Sequence, residues 1–110
     1  MSRDVAHLRD ILDSARLAQS YIASFTAETF LENTLVQDAT LWRLAIIGEA
    51  ANKLTAATRK AISLPWSQII GMRHIAIHHY PKLDMSRVWN TLRDSVPELE
   101  SRVAEFLKDL

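Results

Sequence analysis

Cysteine is absent from the 110 residues, which excludes a disulfide framework and any thiolate metal site. Glycine occurs twice and proline three times. A chain so poor in the residues that interrupt helices, and rich in Ala, Leu, Arg and Glu, is predicted to be helical. No apolar run approaches the roughly 18 residues of a membrane span, and Met1-Ser2-Arg3-Asp4 leads straight into an amphipathic pattern. The expectation is a soluble, cytoplasmic protein with no membrane partner. Net charge is absent too, with 13 basic and 13 acidic residues, which taken alone argues against a nucleic-acid binder. Apolar residues at 48% and charged ones at 24% are those of an ordinary globular protein. A chain of this length makes one domain, 1–110, and buries roughly 60–70% of its unfolded surface.

The charge is unevenly placed. Positions 59–93 carry Arg59, Lys60, Arg73, Lys82, Arg87 and Arg93 against Asp84 alone, while the flanking segments are net acidic. A polyanion would feel that segment rather than the average; solvated helix faces are the plainer reading.

Apolar residues at Val5, Leu8, Ile11, Leu12, Ala15, Leu17 or Ala18, and Ile22 recur at three and four, predicting a helix from Arg3 to about Ser24 with Ser2 as its N-cap. Thr26 can cap a short turn through Leu31. Asn33 or Thr34 then caps a long helix reaching about Ala61, apolar on more than one side through Leu35, Val36, Ala39, Trp42, Leu44, Ala45, Ile46, Ile47, Ala50, Ala51 and Leu54. So broad a face puts that helix at the centre of a bundle or against another chain. Gly48 inside it costs up to about 1 kcal/mol relative to alanine; it marks the close approach of a neighbouring backbone or is merely tolerated. Pro65 opens a further helix in its first turn, running from Trp66 to about His79 with Trp66, Ile69, Ile70, Met72 or His74, Ile75, Ala76 and Ile77 available for burial. Asp84 caps the next, and Ser95-Val96-Pro97 kinks or restarts the last, which carries Leu99, Val103, Phe106 and Leu107. The fold class is all-α: an antiparallel bundle of four main helices plus short helical segments.

The chemistry concentrates in Gly71-Met72-Arg73-His74-Ile75-Ala76-Ile77-His78-His79-Tyr80-Pro81. His74 and His78 are four apart and share a helix face. Arg73 and His78 are five apart, which leaves their directions about 140° apart around a helix. Arg73 must therefore reach, or meet the His78 of a second chain. Tyr80 precedes Pro81, which disfavours helical geometry at the residue before it, so the phenol belongs to an accessible helix end. These residue types suit RNA cleavage. A 2′-hydroxyl attacking the neighbouring phosphate needs a group titrating near neutrality to take and return a proton, which is histidine's range. It also needs a fixed cation for the developing phosphorane charge, which arginine supplies.

The order Arg73-x4-His78-x-Tyr80, preceded by Ile70-Gly71-Met72, resembles the active motif of HEPN-domain toxins of the HepT type. The likeness extends over nearly the whole chain: Leu8-Arg9-Asp10-Ile11-Leu12, then Gln37-Asp38, Arg43 to Ala51, Pro65-Trp66, and Val88-Trp89. The resemblance implies a HEPN-like fold and the toxin of a type II, nucleotidyltransferase-neutralised toxin–antitoxin system. It implies a metal-independent endoribonuclease with catalytic Arg73 and His78, two chains pairing so that both motifs line one cleft, and no cofactor. It further implies a cognate minimal-nucleotidyltransferase antitoxin that transfers AMP from ATP to Tyr80. His74 departs from the family pattern, where asparagine commonly follows the arginine, and His79 falls on a variable position. Asp38 and Glu49 either orient Arg73 or His78 or face solvent. A metal is the alternative chemistry, since His74 and His78 have the spacing of a zinc pair but lack further ligands. The non-enzymatic alternative is a helical module that binds RNA, a nucleotide or an acidic partner.

Overall fold

In the computed structural model residues 2–78 and 84–110 are described, with side chains from residue 3 onward. The first helix, α1 (Ser2–Ile22), already includes Ser2, which is therefore not its cap. Leu8, Ile11, Leu12, Ala15, Ala18 and Ile22 are buried while Leu17 is exposed, so the stripe runs through Ala18. Thr26 and Thr29 then form a capping box, each side-chain oxygen accepting from the other's backbone N–H at 3.2 and 2.9 Å. It starts α2 (Ala27–Leu31), whose buried Phe30 packs its ring 5.2 Å from that of Trp89. Asn33 Oδ1 accepts from Val36 N–H at 3.0 Å and caps α3.

α3 (Thr34–Asn52) ends well short of the expected Ala61. Thr55 caps a separate helix, α4 (Ala56–Ala61). The cause lies 51 residues away in sequence. The Asp4 carboxylate, only 2% exposed, accepts from the Thr55 N–H at 3.2 Å, the Thr55 hydroxyl at 2.6 Å and the Thr58 hydroxyl at 2.5 Å. A buried carboxylate must be hydrogen-bonded, and only a broken helix delivers all three donors. The two threonine hydroxyls hold the Asp4 carboxyl below its usual range, against the opposing effect of burial. Leu54, inside the interruption, is buried.

The motif helix, α5 (Trp66–His78), begins one residue after Pro65, whose carbonyl accepts from Ile69 N–H at 3.1 Å. Trp66 Nε1 anchors this end by donating to the carbonyls of Arg59 and Ile62, both at 2.9 Å. Asp84 caps α6 (Met85–Asn90), accepting from Ser86 N–H at 3.0 Å. The expected kink before Pro97 takes the form of a π-helical segment, Thr91–Ser95, leading without a break into α7 (Val96–Lys108). Val96 N–H donates to the carbonyl of Thr91, five residues back. Pro97 has no N–H, and its ring would strike the carbonyl four residues back in a regular helix; one widened turn absorbs both.

The four main helices α1, α3, α5 and α7 form an antiparallel bundle, with α3 packed against both α1 and α5, and α7 against α1. Glu100 ties α7 to α1, accepting from Gln19 Nε2 at 2.6 Å and Arg16 Nε at 3.0 Å. No strand occurs among the described residues, and none of their helices is long and apolar enough to cross a membrane.

Candidate active site

Only Trp66 and Ile69 of α5 are buried. Ile70, Met72 and Ala76 are half-buried against the core, whereas Ile75 and Ile77, apolar and available for burial by sequence, are 46% and 51% exposed. The run Ile75-Ala76-Ile77 holds more apolar residues than one helix face can cover, and that excess is its only sequence signal. The helix is thus pinned at its start and lies progressively more in water toward His78.

Its position on α3 is set by Gly48. A Cβ added there would lie 2.8 Å from the backbone nitrogen of Arg73 and 3.1 Å from the carbonyl oxygens of Ile69 and Ile70. The two helices therefore touch backbone to backbone. The next residue, Glu49, brings Oε2 to 2.8 Å from Arg73 Nε. Its other oxygen lies 3.9 Å from Lys53 Nζ. With both side chains about half exposed, such a pair contributes at most about 1 kcal/mol to stability. Its consequence is directional, since it fixes which way the guanidinium leaves α5.

His74 and His78 are exposed and stack with ring centres 4.6 Å apart and planes inclined at 34°. The arginine is turned toward Glu49 and the imidazoles pair with each other, as their angular offset requires. Asp38 does not join the Arg73–Glu49 pair. It lines a groove of about 310 Å³ near the other end of the α3–α5 contact, with Leu41, Trp42, Ala45, Ala76 and Ile77. Tyr80 and His79 lie outside the described residues. Of the basic segment, Arg59 donates to the Asn52 carbonyl at 3.0 Å, Arg73 pairs with Glu49, and Arg93 lies 5.5 Å from the Trp89 ring centre. Among the described residues these three cations of the segment are thus engaged within the chain.

The family model of HepT-like ribonucleases matches residues 11–106. The chain belongs to this family. Among its relatives is the Methanocaldococcus jannaschii protein MJ1380, a candidate RNase by name, 32% identical over 92% of this chain and 94% of its own. A Thermococcus cleftensis protein named "Probable ribonuclease HepT" is 27% identical over 93% of this chain and 94% of its own. A second M. jannaschii protein, MJ0434, named as a gamma-glutamylcyclotransferase and candidate RNase, is 30% identical over the whole of this chain, which spans only half of that protein. No solved structure matches the chain significantly. Membership of the HepT-like family agrees with the all-α bundle and with a ribonuclease as its activity.

Proposed function

We propose that this HepT-like chain is the toxin of a nucleotidyltransferase-neutralised toxin–antitoxin pair and cleaves RNA without a metal. The observation that carries the reading is the Glu49–Arg73 pair beside an exposed imidazole on the motif helix. A carboxylate that turns the arginine away from the imidazoles leaves each with a separate role. His78 takes the proton from the 2′-hydroxyl as that oxygen attacks phosphorus, and returns it to the departing 5′-oxygen. Arg73 neutralises the charge gathered on the non-bridging phosphate oxygens. His74 and Asp38 are supporting groups, the first beside His78 and the second on the groove under Ile77.

Since Arg73 and His78 diverge on one helix, the working pair is Arg73 of one chain with His78 of a second, across a cleft lined by both motifs. Exposed Leu35, Trp42 and Ile77 supply the apolar contact for such a homodimer. Tyr80 is the acceptor of AMP from the antitoxin. A nucleotidyl group there sets a negatively charged phosphodiester where substrate phosphate would sit, at high effective concentration.

The test is cleavage of RNA in the presence of chelator. Arg73→Ala and His78→Ala each abolish it while helicity is kept, and products end in a 2′,3′-cyclic phosphate or its hydrolysed form. Products with a 3′-hydroxyl and a 5′-phosphate would point to activated water and reject the mechanism. Co-expression with the antitoxin adds AMP mass to the wild type and none to Tyr80→Phe. Equal silencing of both without a mass change would reduce neutralisation to binding.

A further inference from the structure

We propose that the end of α3 forms a phosphate-binding track for single-stranded RNA, running from Arg73 over Lys53 to Arg59; its starting point rests on the reading of Arg73 as the group that holds the scissile phosphate. Lys53 lies outside the basic segment 59–93, and the fold brings it there. It is the C-cap of α3, one turn beyond Glu49. Its Nζ lies 3.9 Å from Oε1 of the carboxylate whose Oε2 meets Arg73 Nε at 2.8 Å. Arg59, in the last turn of α4, donates from Nη2 to the carbonyl of Asn52, the residue before Lys53, at 3.0 Å. Three cations, from the end of α3, from α4 and from α5, thus converge on the last turn of α3.

Glu49 cannot neutralise two cations at once, and with the buried Asp4 carboxylate at Thr55 counted as well the cluster stays net positive. Part of this charge answers the dipole of α3, which favours cations at a helix C-terminus. That accounts for Arg59 on the Asn52 carbonyl, but not for Lys53 turning back along the helix toward the carboxylate of Arg73. Both members of the Lys53–Glu49 contact are about half exposed, so water screens it and it holds the ammonium weakly. The flexible stem of the lysine lets the ammonium exchange carboxylate for phosphate. Such a track contacts the backbone and carries no base preference of its own. Attack by the 2′-hydroxyl needs that oxygen, phosphorus and the departing oxygen aligned, which the fixed backbone of a duplex resists; the strand on the track is therefore single.

A 2′-O-methyl RNA strand of mixed sequence, which lacks the attacking hydroxyl, reports binding to the full chain by fluorescence anisotropy across a salt series, and the unmodified strand reports cleavage. Lys53→Ala and Arg59→Gln each weaken binding about three- to tenfold at physiological salt and make the slope of log K against log salt shallower by about 0.7, the value of one single-strand phosphate contact. Because Arg59 also holds the end of α3, Lys53→Ala, which removes no such bond, is the deciding variant. Lys53→Arg keeps the wild-type slope. Arg16→Ala removes the same charge from α1, beside Glu100, and leaves the slope unchanged. On cleavable RNA, Lys53→Ala raises KM by the factor lost in binding and leaves kcat within about twofold of wild type. A wild-type slope in Lys53→Ala, an equal loss of slope in Arg16→Ala, or no binding of the strand would overturn the track. Binding that depends on Lys53 in a protein that never cleaves RNA would uphold the track and overturn the ribonuclease reading instead.

Discussion

Nε of Arg73 on α5 lies 2.8 Å from Oε2 of Glu49 on α3, one residue beyond the glycine at which the two helices touch. Spacing and direction of the arginine thus come from adjacent residues: Gly48 sets how near α5 lies, and Glu49 sets where its guanidinium points.

Gly48→Ala and Gly71→Ala are expected to act with opposite signs. Helix propensity alone favours alanine at both positions by up to about 1 kcal/mol. At Gly48 the new methyl would meet backbone atoms of Arg73, Ile69 and Ile70 at 2.8–3.1 Å. Backbone cannot rotate away as a side chain can, so the variant loses roughly 1–3 kcal/mol. At Gly71 nothing among the described residues lies within 4 Å of the added atom, and stability rises by about 0.5–1 kcal/mol. Denaturant titration of both variants decides, and a stabilised Gly48→Ala would refute the close approach.

Glu49→Gln separates orientation from stability. The half-exposed pair contributes little to folding, so the midpoint of thermal unfolding stays within a few degrees of the wild type. Loss of the charge that aims Arg73 lowers kcat about tenfold or more, since misplacement of a catalytic group by about an ångström can cost a hundredfold. Glu49→Asp, with the charge kept on a shorter arm, recovers part of the rate. A variant with wild-type kcat would leave Glu49 a solvated surface residue.

What was legible in the chain, and what was not, divides by range. Thr26, Asn33 and Asp84 cap helices where expected because each bonds a backbone N–H within three residues. The end of α3 at Asn52 was not legible, since its cause is a carboxylate 51 residues upstream. Ser2 looked like a cap by type, but the helix already includes it. Gly48 and Glu49 each had two readings, a close approach or a tolerated glycine for the first and an orienting or a solvated carboxylate for the second, because only the packing of α3 on α5 brings Arg73 beside them. The motif spacing was fully readable, whereas the exposure of Ile75 and Ile77 was not: a periodic apolar run does not tell the core from another chain.

Acid should unfold the chain partly through Asp4. Its carboxyl is held low by the Thr55 and Thr58 hydroxyls, so the native state favours the ionised form more than the unfolded state does. The stabilisation is fully present above the unfolded value near pH 3.9 and is lost as pH falls through the lower native value. Asp4→Asn, which cannot take part in that titration, costs about 1–3 kcal/mol at neutral pH. The gap between wild type and variant stays constant from about pH 5 to 8 and narrows below about pH 4. Urea titrations across that range measure it; a gap that widens on acidification would reverse the sign of the linkage.

The proposed shared cleft makes the strongest demand on the apolar surface that α3 and α5 leave in water. Leu35 is 78% exposed, Trp42 61% and Ile77 51%, the last two on one groove. Covering the exposed part of Trp42, roughly 150 Å², contributes about 4 kcal/mol per chain at about 25 cal/mol per Å². Trp42→Glu removes that contribution and sets a charge in the contact, yet takes little from the monomer's core. The variant is expected to keep its helicity, to scatter light as a monomer, and to lose RNA cleavage. Complementation then asks whether the site is composite. Arg73→Ala and His78→Ala chains, each inactive alone, are mixed and allowed to exchange; in a two-fold dimer, half of the pairs are mixed and each has one intact site, giving about a quarter of wild-type activity. Zero recovery from fully exchanged mixtures, or a wild-type monomer that still cuts RNA, would place Arg73 and His78 of a single chain on the same phosphate and remove the need for a partner.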